Sequence, residues 1–173
     1  MDATAKLAET FPDVAKDIRV NLQNVLQPAT LNADQVWGTA VACARASRNP
    51  GLVQAIEADA RAAGASDASL TDARAAAVLM GMNNVFYRFK HLIAKESYER
   101  KPARLRMQRL SQVESNKPDF ELFCLAVSAI NNCQSCMAAH EASVLRLGLS
   151  EDHVIDVIRI AATVHAAAVA AEI

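Results

Sequence analysis

Two adjoining stretches decide how this chain of 173 residues is read: Pro118-Asp119-Phe120-Glu121-Leu122-Phe123-Cys124-Leu125-Ala126-Val127-Ser128-Ala129-Ile130, then Asn131-Asn132-Cys133-Gln134-Ser135-Cys136-Met137-Ala138-Ala139-His140-Glu141. The first opens on a proline, which suits a helix N-terminus, and continues without a helix breaker. The paired asparagines interrupt it, because their short polar side chains bond to nearby backbone in place of the helical ladder. Apolar residues then resume until Gly148, a helix stop. The spacing predicts a helix over 119–130, a corner, and a helix over 133–147.

Outward from this pair the same punctuation recurs. Pro12, Pro28, Pro50 and Pro102 fall at helix starts or in loops, and Gly64 at a helix end. Helices are predicted over 12–26, 33–47, 50–63, 70–97 and 151–171, with 99–117 the most loop-like stretch. Hydrophobic residues make up 52% of the chain, glycines number five and aromatics reach only 5%, which favours close-packed helices over strands. The expectation is all-α: a single domain over 1–173 of about seven to nine helices. A weak internal match lays Ala76 to Lys90 over Cys124 to Ala138, with Asn83-Asn84 on Asn131-Asn132 and Val85 and Arg88 where Cys133 and Cys136 stand. A second pairs Leu31 to Val36 with Leu149 to Val154. Duplication of a two-helix unit explains both; so does ordinary helix capping.

Charge and composition exclude several classes. Eighteen basic residues are scattered among nineteen acidic ones, with a formal net charge of -1, so no basic stripe exists to neutralise phosphates and no nucleic-acid partner is expected. Met1 to Lys6 lacks the apolar run of a secretory signal, and a cytoplasmic location is expected. Val154 to Ile173 is the most apolar segment, but Asp156, Arg159 and His165 interrupt it. Roughly 20 uninterrupted apolar residues make a membrane span, so this stretch is read as a buried or interface helix and no membrane partner is expected.

The chemistry lies around residues 118–141. Asn132, taken as the N-cap, puts Cys133 in the first turn, where free backbone N–H groups and the helix dipole favour a thiolate. At about 100° per residue, Cys136 is displaced about 60° and His140 about 20° from Cys133 around the helix, so all three share one stripe. The thiols can form a disulfide, and His140, one turn beyond Cys136, can take its proton as general base. Cys136 is therefore the candidate for attack and Cys133 the partner that resolves. Glu121 can orient His140 if the two helices pack antiparallel; in the blander alternative it caps its own helix dipole from solvent. Glu141 points about 100° away from His140 and ranks below it. A zinc-binding structural module is the rival reading: Cys133, Cys136 and His140 supply three ligands, and His153 or Glu121 would close the shell. Cys43 and Cys124 sit in apolar settings and are read as core residues. His165 is assigned to the core or an interface, and His91 and His153 to the surface. Trp37, Phe86 and Tyr87 are read as packing anchors.

Taken together, Gly81-Met82-Asn83-Asn84-Val85-Phe86-Tyr87-Arg88, Phe120-Glu121-Leu122, and Ala126-Val127-Ser128-Ala129-Ile130-Asn131 ahead of Cys133-x-x-Cys136-x-x-x-His140-Glu141 resemble the AhpD-like family of alkyl hydroperoxide reductases, within the carboxymuconolactone decarboxylase-like group. Trp37-Gly38-Thr39 and Ser47-Arg48-Asn49-Pro50 extend the likeness over most of the chain. The resemblance implies an all-helical homotrimer with peroxidase and disulfide-reductase activity and no bound cofactor or metal. It also implies a peroxiredoxin partner of the AhpC type, and electrons drawn from dihydrolipoamide on a lipoylated 2-oxo acid dehydrogenase component. By position, Cys136 becomes the peroxidatic thiol for an alkyl hydroperoxide, Cys133 the resolving thiol, and Glu121 with His140 a proton relay. One departure stands out: the family pattern has a histidine immediately before the second cysteine, where this chain has Ser135, so His140 carries the base function alone. The Cys133–Cys136 disulfide should meet its reductant at the sulfur nearer the helix start, expected to be the exposed end. A decarboxylase of the same group, acting on a lactone acid, would need no cysteine pair.

Overall fold

Side-chain caps fix where several of the helices begin. In the computed structural model, which describes residues 1–173, Asn32 and Gln35 form a reciprocal capping box, each side chain accepting from the other's backbone N–H at 3.0 Å, and so start α3 (Ala33–Ser47). Asn49 caps α4 (Pro50–Ala62), Ser66 caps α5 (Asp67–Ile93), and Asn116 caps α7 (Lys117–Ile130). Before them lie α1 (Asp2–Glu9) and α2 (Lys16–Val25); the short α6 (Glu96–Glu99) follows α5, and α8 (Gln134–Arg146) and α9 (Glu151–Ala170) complete the chain. Single 3₁₀ turns occur at Asp13–Ala15 and Gln108–Ser111. The fold is all-helical, as expected, and α3, α4, α7, α8 and α9 keep close to their predicted bounds.

The differences have physical causes. α1 was not expected, and it depends on a distant carboxylate: Asp59 of α4 accepts from the backbone N–H of Ala3 and Thr4 and from the Thr4 hydroxyl, at 3.0, 2.9 and 2.6 Å. The predicted 12–26 helix begins as a 3₁₀ turn. The predicted 70–97 helix stops at Ile93, where Ala94 turns left-handed (φ 49°).

Helices α3 and α7 form the centre. Gln35 to Ala44 and Asp119 to Ser128 are buried without a break, so both helices are covered on all sides. Gly38 permits their close approach: a Cβ there would stand 2.2 Å from the Phe123 ring. Around them α2, α5, α8 and α9 enclose one contiguous apolar core. By length and composition α9 would pass for a membrane span despite Asp156, Arg159 and His165, but its Val157, Ile160, Ala161, Val164 and Ala167 pack into this core, as expected of a buried helix. On α5, Val78, Val85, Phe89 and Leu92 leave an apolar stripe exposed.

Candidate functional site

Helix α7 ends in a Schellman motif, with Cys133 N–H donating to the Ser128 carbonyl at 3.1 Å and Asn132 N–H to Ala129 at 3.0 Å. Asn132 is left-handed (φ 53°), a conformation asparagine tolerates. It therefore closes α7; it is not the N-cap of α8, as the sequence reading had it. Cys133 occupies the N-cap position itself, and Cys136 is the third residue of the helix. The N–H groups of that first turn have no intrahelical acceptors, so the cysteine lying within it is Cys136. The corner is braced from α5: Arg88 donates to the Asn131 carbonyl at 2.6 Å, and Asn84 bonds both Ser128 and Asn131 at 2.9 Å. The two asparagine pairs of the internal match thus meet, although Asn83-Asn84 runs through α5 without a break.

Cys133 and Cys136 are joined as a disulfide, their Cα atoms 5.3 Å apart. Cys133 is fully buried and Cys136 is 7% exposed. The expectation that the sulfur nearer the helix start is the accessible one is therefore reversed, because the Schellman turn folds Cys133 inward beneath the corner.

One face of Cys136 meets a cavity of about 280 Å³ between α5, the 3₁₀ turn and α8. Met80, Tyr87, Met107, Leu110 and Ala139 make its walls mostly apolar, and Asn83, Ser135 and His140 contribute the polar groups. His140 Nδ1 lies 2.6 Å from Glu121 Oε2, so its other ring nitrogen remains for the cavity. Glu121 is 7% exposed, which corrects the solvated reading, and its second oxygen lies 2.7 Å from Lys117 Nζ. Burial alone would raise the Glu121 pKa, but the hydrogen bonds from His140 and Lys117 outweigh it and hold the carboxyl below its usual range. Lys117 also donates to the Leu110 carbonyl at 3.2 Å, tying this carboxylate to the turn that walls the cavity. Glu141 makes no bond to His140.

The zinc reading gains nothing from this geometry. No three His, Cys, Asp or Glu side chains gather closely enough to hold a metal ion, and His153 is occupied at the N-terminus of α9 with Ser150. Cys43 and Cys124 are fully buried, and burial pushes both thiols well above the usual range. His165 is exposed, 3.2 Å from Ser47, and not in the core. Trp37 is buried as expected, whereas Phe86 and Tyr87 are only half-buried and pack edge to face at 5.3 Å between centroids. Sequence reasoning gave no site role to Asn83, Tyr87, Met107 or Lys117. Lys117 alone carried a signal, standing one helical turn before Glu121.

Residues 97–172 match the carboxymuconolactone decarboxylase family. Over all 173 residues the chain is 55% identical to a protein named alkyl hydroperoxide reductase AhpD from Anaeromyxobacter dehalogenans, of which it covers 92%. Proteins of the same name from Solibacter usitatus (47% identical, 92% of this chain and 90% of that protein) and Rhodospirillum centenum (46%, 94% and 87%) match at similar coverage.

Proposed function

Since the chain belongs to the AhpD family of alkyl hydroperoxide reductases, we propose that it is a thiol-dependent peroxidase and disulfide reductase cycling through Cys133 and Cys136. The observation that carries the reading is a disulfide whose Cys136 side opens on an apolar cavity beside a histidine held by a buried carboxylate.

In the reduced protein His140 takes the Cys136 proton, and the N-terminal turn of α8 favours the thiolate. Cys136 attacks the distal oxygen of an alkyl hydroperoxide; the O–O bond breaks, Cys136 becomes a sulfenic acid, and the alkoxide takes the proton back from His140. Cys133 then displaces water from the sulfenic acid to form the disulfide. Glu121 fixes the His140 ring with Nδ1 as the donor. Reduction begins at Cys136, the less buried sulfur: a dithiol of the dihydrolipoamide class attacks it, releases Cys133 as a thiol, and closes its own disulfide to free Cys136. Ser135 lines the same cavity with its hydroxyl 3.7 Å from Cys133 Sγ, and it cannot act as a base at neutral pH.

In this reading electrons come from a lipoylated 2-oxo acid dehydrogenase component in the cytoplasm, and the reduced protein also serves a peroxiredoxin of the AhpC type. The working unit is a homotrimer.

The test is peroxide-dependent turnover with dihydrolipoamide in metal-free buffer. Cys136→Ser and Cys133→Ser should each abolish it, while Cys43→Ser, altering a buried thiol outside the site, should retain it. Turnover that survives Cys136→Ser would defeat the proposal.

A further inference from the structure

Within the cavity, one polar group has no purpose in the fold. Asn83 is 5% exposed, and its Oδ1 is buried with no hydrogen-bond partner. Its neighbour Asn84 is fully tied into the corner through Ser128 and Asn131. A buried amide oxygen without a donor is destabilising, and native proteins retain such groups chiefly where a ligand or water completes them. Asn83 lines the same space as Cys136 and His140, on the wall formed by α5. Met80 stands one turn before it, and Met107 and Leu110 also border the cavity.

We propose that Asn83 is a substrate-binding residue, its side-chain amide turning its unpaired oxygen toward the cavity to accept the hydrogen bond of the hydroperoxide O–H while Met80, Met107 and Leu110 receive the alkyl arm. The inference rests on the peroxidase reading above. An O–H donor matches an orphaned acceptor, and in a mostly apolar cavity such a bond is stronger than in water. The hydrogen it holds is on the distal oxygen, the atom Cys136 attacks. The bond thereby fixes which oxygen faces the thiolate. When the O–O bond breaks, that oxygen and its hydrogen pass to Cys136 as the sulfenic acid, still donating to Asn83. The proximal oxygen leaves as the alkoxide and takes its proton from His140. No further oxidant or reductant is required.

The test separates the two half-reactions. Pre-reduced protein is mixed with tert-butyl hydroperoxide or cumene hydroperoxide and its oxidation followed; oxidised protein is separately mixed with dihydrolipoamide. Asn83→Leu should slow the peroxide step about 10-fold, the loss expected for one hydrogen bond between neutral partners. It should leave the dithiol step within about twofold, and it should hold or raise Tm because an unpaired buried amide has been replaced by an apolar group of similar shape. Asn83→Ala gives the same comparison should the leucine fail to fold. A peroxide step at the wild-type rate overturns the inference, as does a parallel fall of both steps with a lower Tm, which would mark a structural role. A wild type whose thiols do not react with peroxide overturns the peroxidase reading, and this inference with it.

Discussion

At the scale of single residues, the site is a contrast between two carboxylates and two kinds of cysteine. Glu121 lies on α7 and serves a side chain nineteen positions away, whereas Glu141, adjacent to His140 in sequence, does not. Helical angles exclude Glu141 but cannot select Glu121, because selection needs the packing of α7 against α8. That is the limit of what the sequence made legible here: the Cys133–Cys136 pairing and the placement of His140 one turn beyond Cys136 follow from spacing, while the buried acid, the lysine behind it and the apolar walls come from other elements. The asparagine corner was misread for a related reason. Asn132 suits both a cap and a left-handed turn, and only the Schellman bonds decide between them. Glu121→Gln is expected to lower peroxide turnover at least about 10-fold, because an amide holds the His140 ring less firmly and no longer dictates its tautomer, and to lower Tm, because a buried carboxylate held below its usual pKa by His140 and Lys117 contributes stability. Steady-state rates beside a melting curve check this; a variant with full activity would remove Glu121 from the relay.

Among the elements, one dense polar tie lies away from the site. Glu57 of α4 is 8% exposed and receives Arg45 of α3 at 2.7 Å, Arg74 of α5 at 3.1 Å and Arg61 of its own helix at 3.4 Å. The hydrogen bond from Arg74 lowers its pKa most; burial opposes this, Arg45 adds to it, and the result is lowered to about 2. A carboxyl depressed in the folded state contributes stability that is fully present above its unfolded pKa, near 4.5, and is lost as pH falls toward about 2. The shift corresponds to roughly 3 kcal/mol at most. Denaturant unfolding between pH 6 and pH 2 should show this loss, and Glu57→Gln should flatten the profile over that window while lowering stability at pH 6. An unchanged slope in the variant would show that other carboxylates set the acid limb. Only Arg61, one turn beyond Glu57, gave a sequence signal of this hub, since Arg45 and Arg74 come from other helices. The helix boundaries, by contrast, were legible at the local caps Asn32, Asn49 and Ser150, were placed two to three residues late behind Asn116 and Ser66, and were missed at α1, whose cap is the remote Asp59.

For the whole molecule, one apolar surface is left open. Val78, Val85 and Leu92 recur every seven residues along α5, with Phe89 beside them, and all four are exposed. Such a seam suits burial against another helix, in keeping with the proposed homotrimer. Val85→Lys together with Leu92→Glu is expected to shift the protein to monomer in sedimentation analysis without changing its helical content; a double variant that keeps the wild-type mass would place the contacts elsewhere. A last consequence follows from the burial of Cys133. With one sulfur sealed beneath the corner, the proposed mechanism gives oxidant and reductant the same doorway, at Cys136, to be used by turns. In the proposed mechanism the cycle is then ping-pong, and each substrate obstructs the other: dithiol lingering in the cavity of the reduced protein shuts out peroxide. Turnover should therefore peak at an intermediate supply of reductant, a governor that ties the rate to the balance of the two substrates.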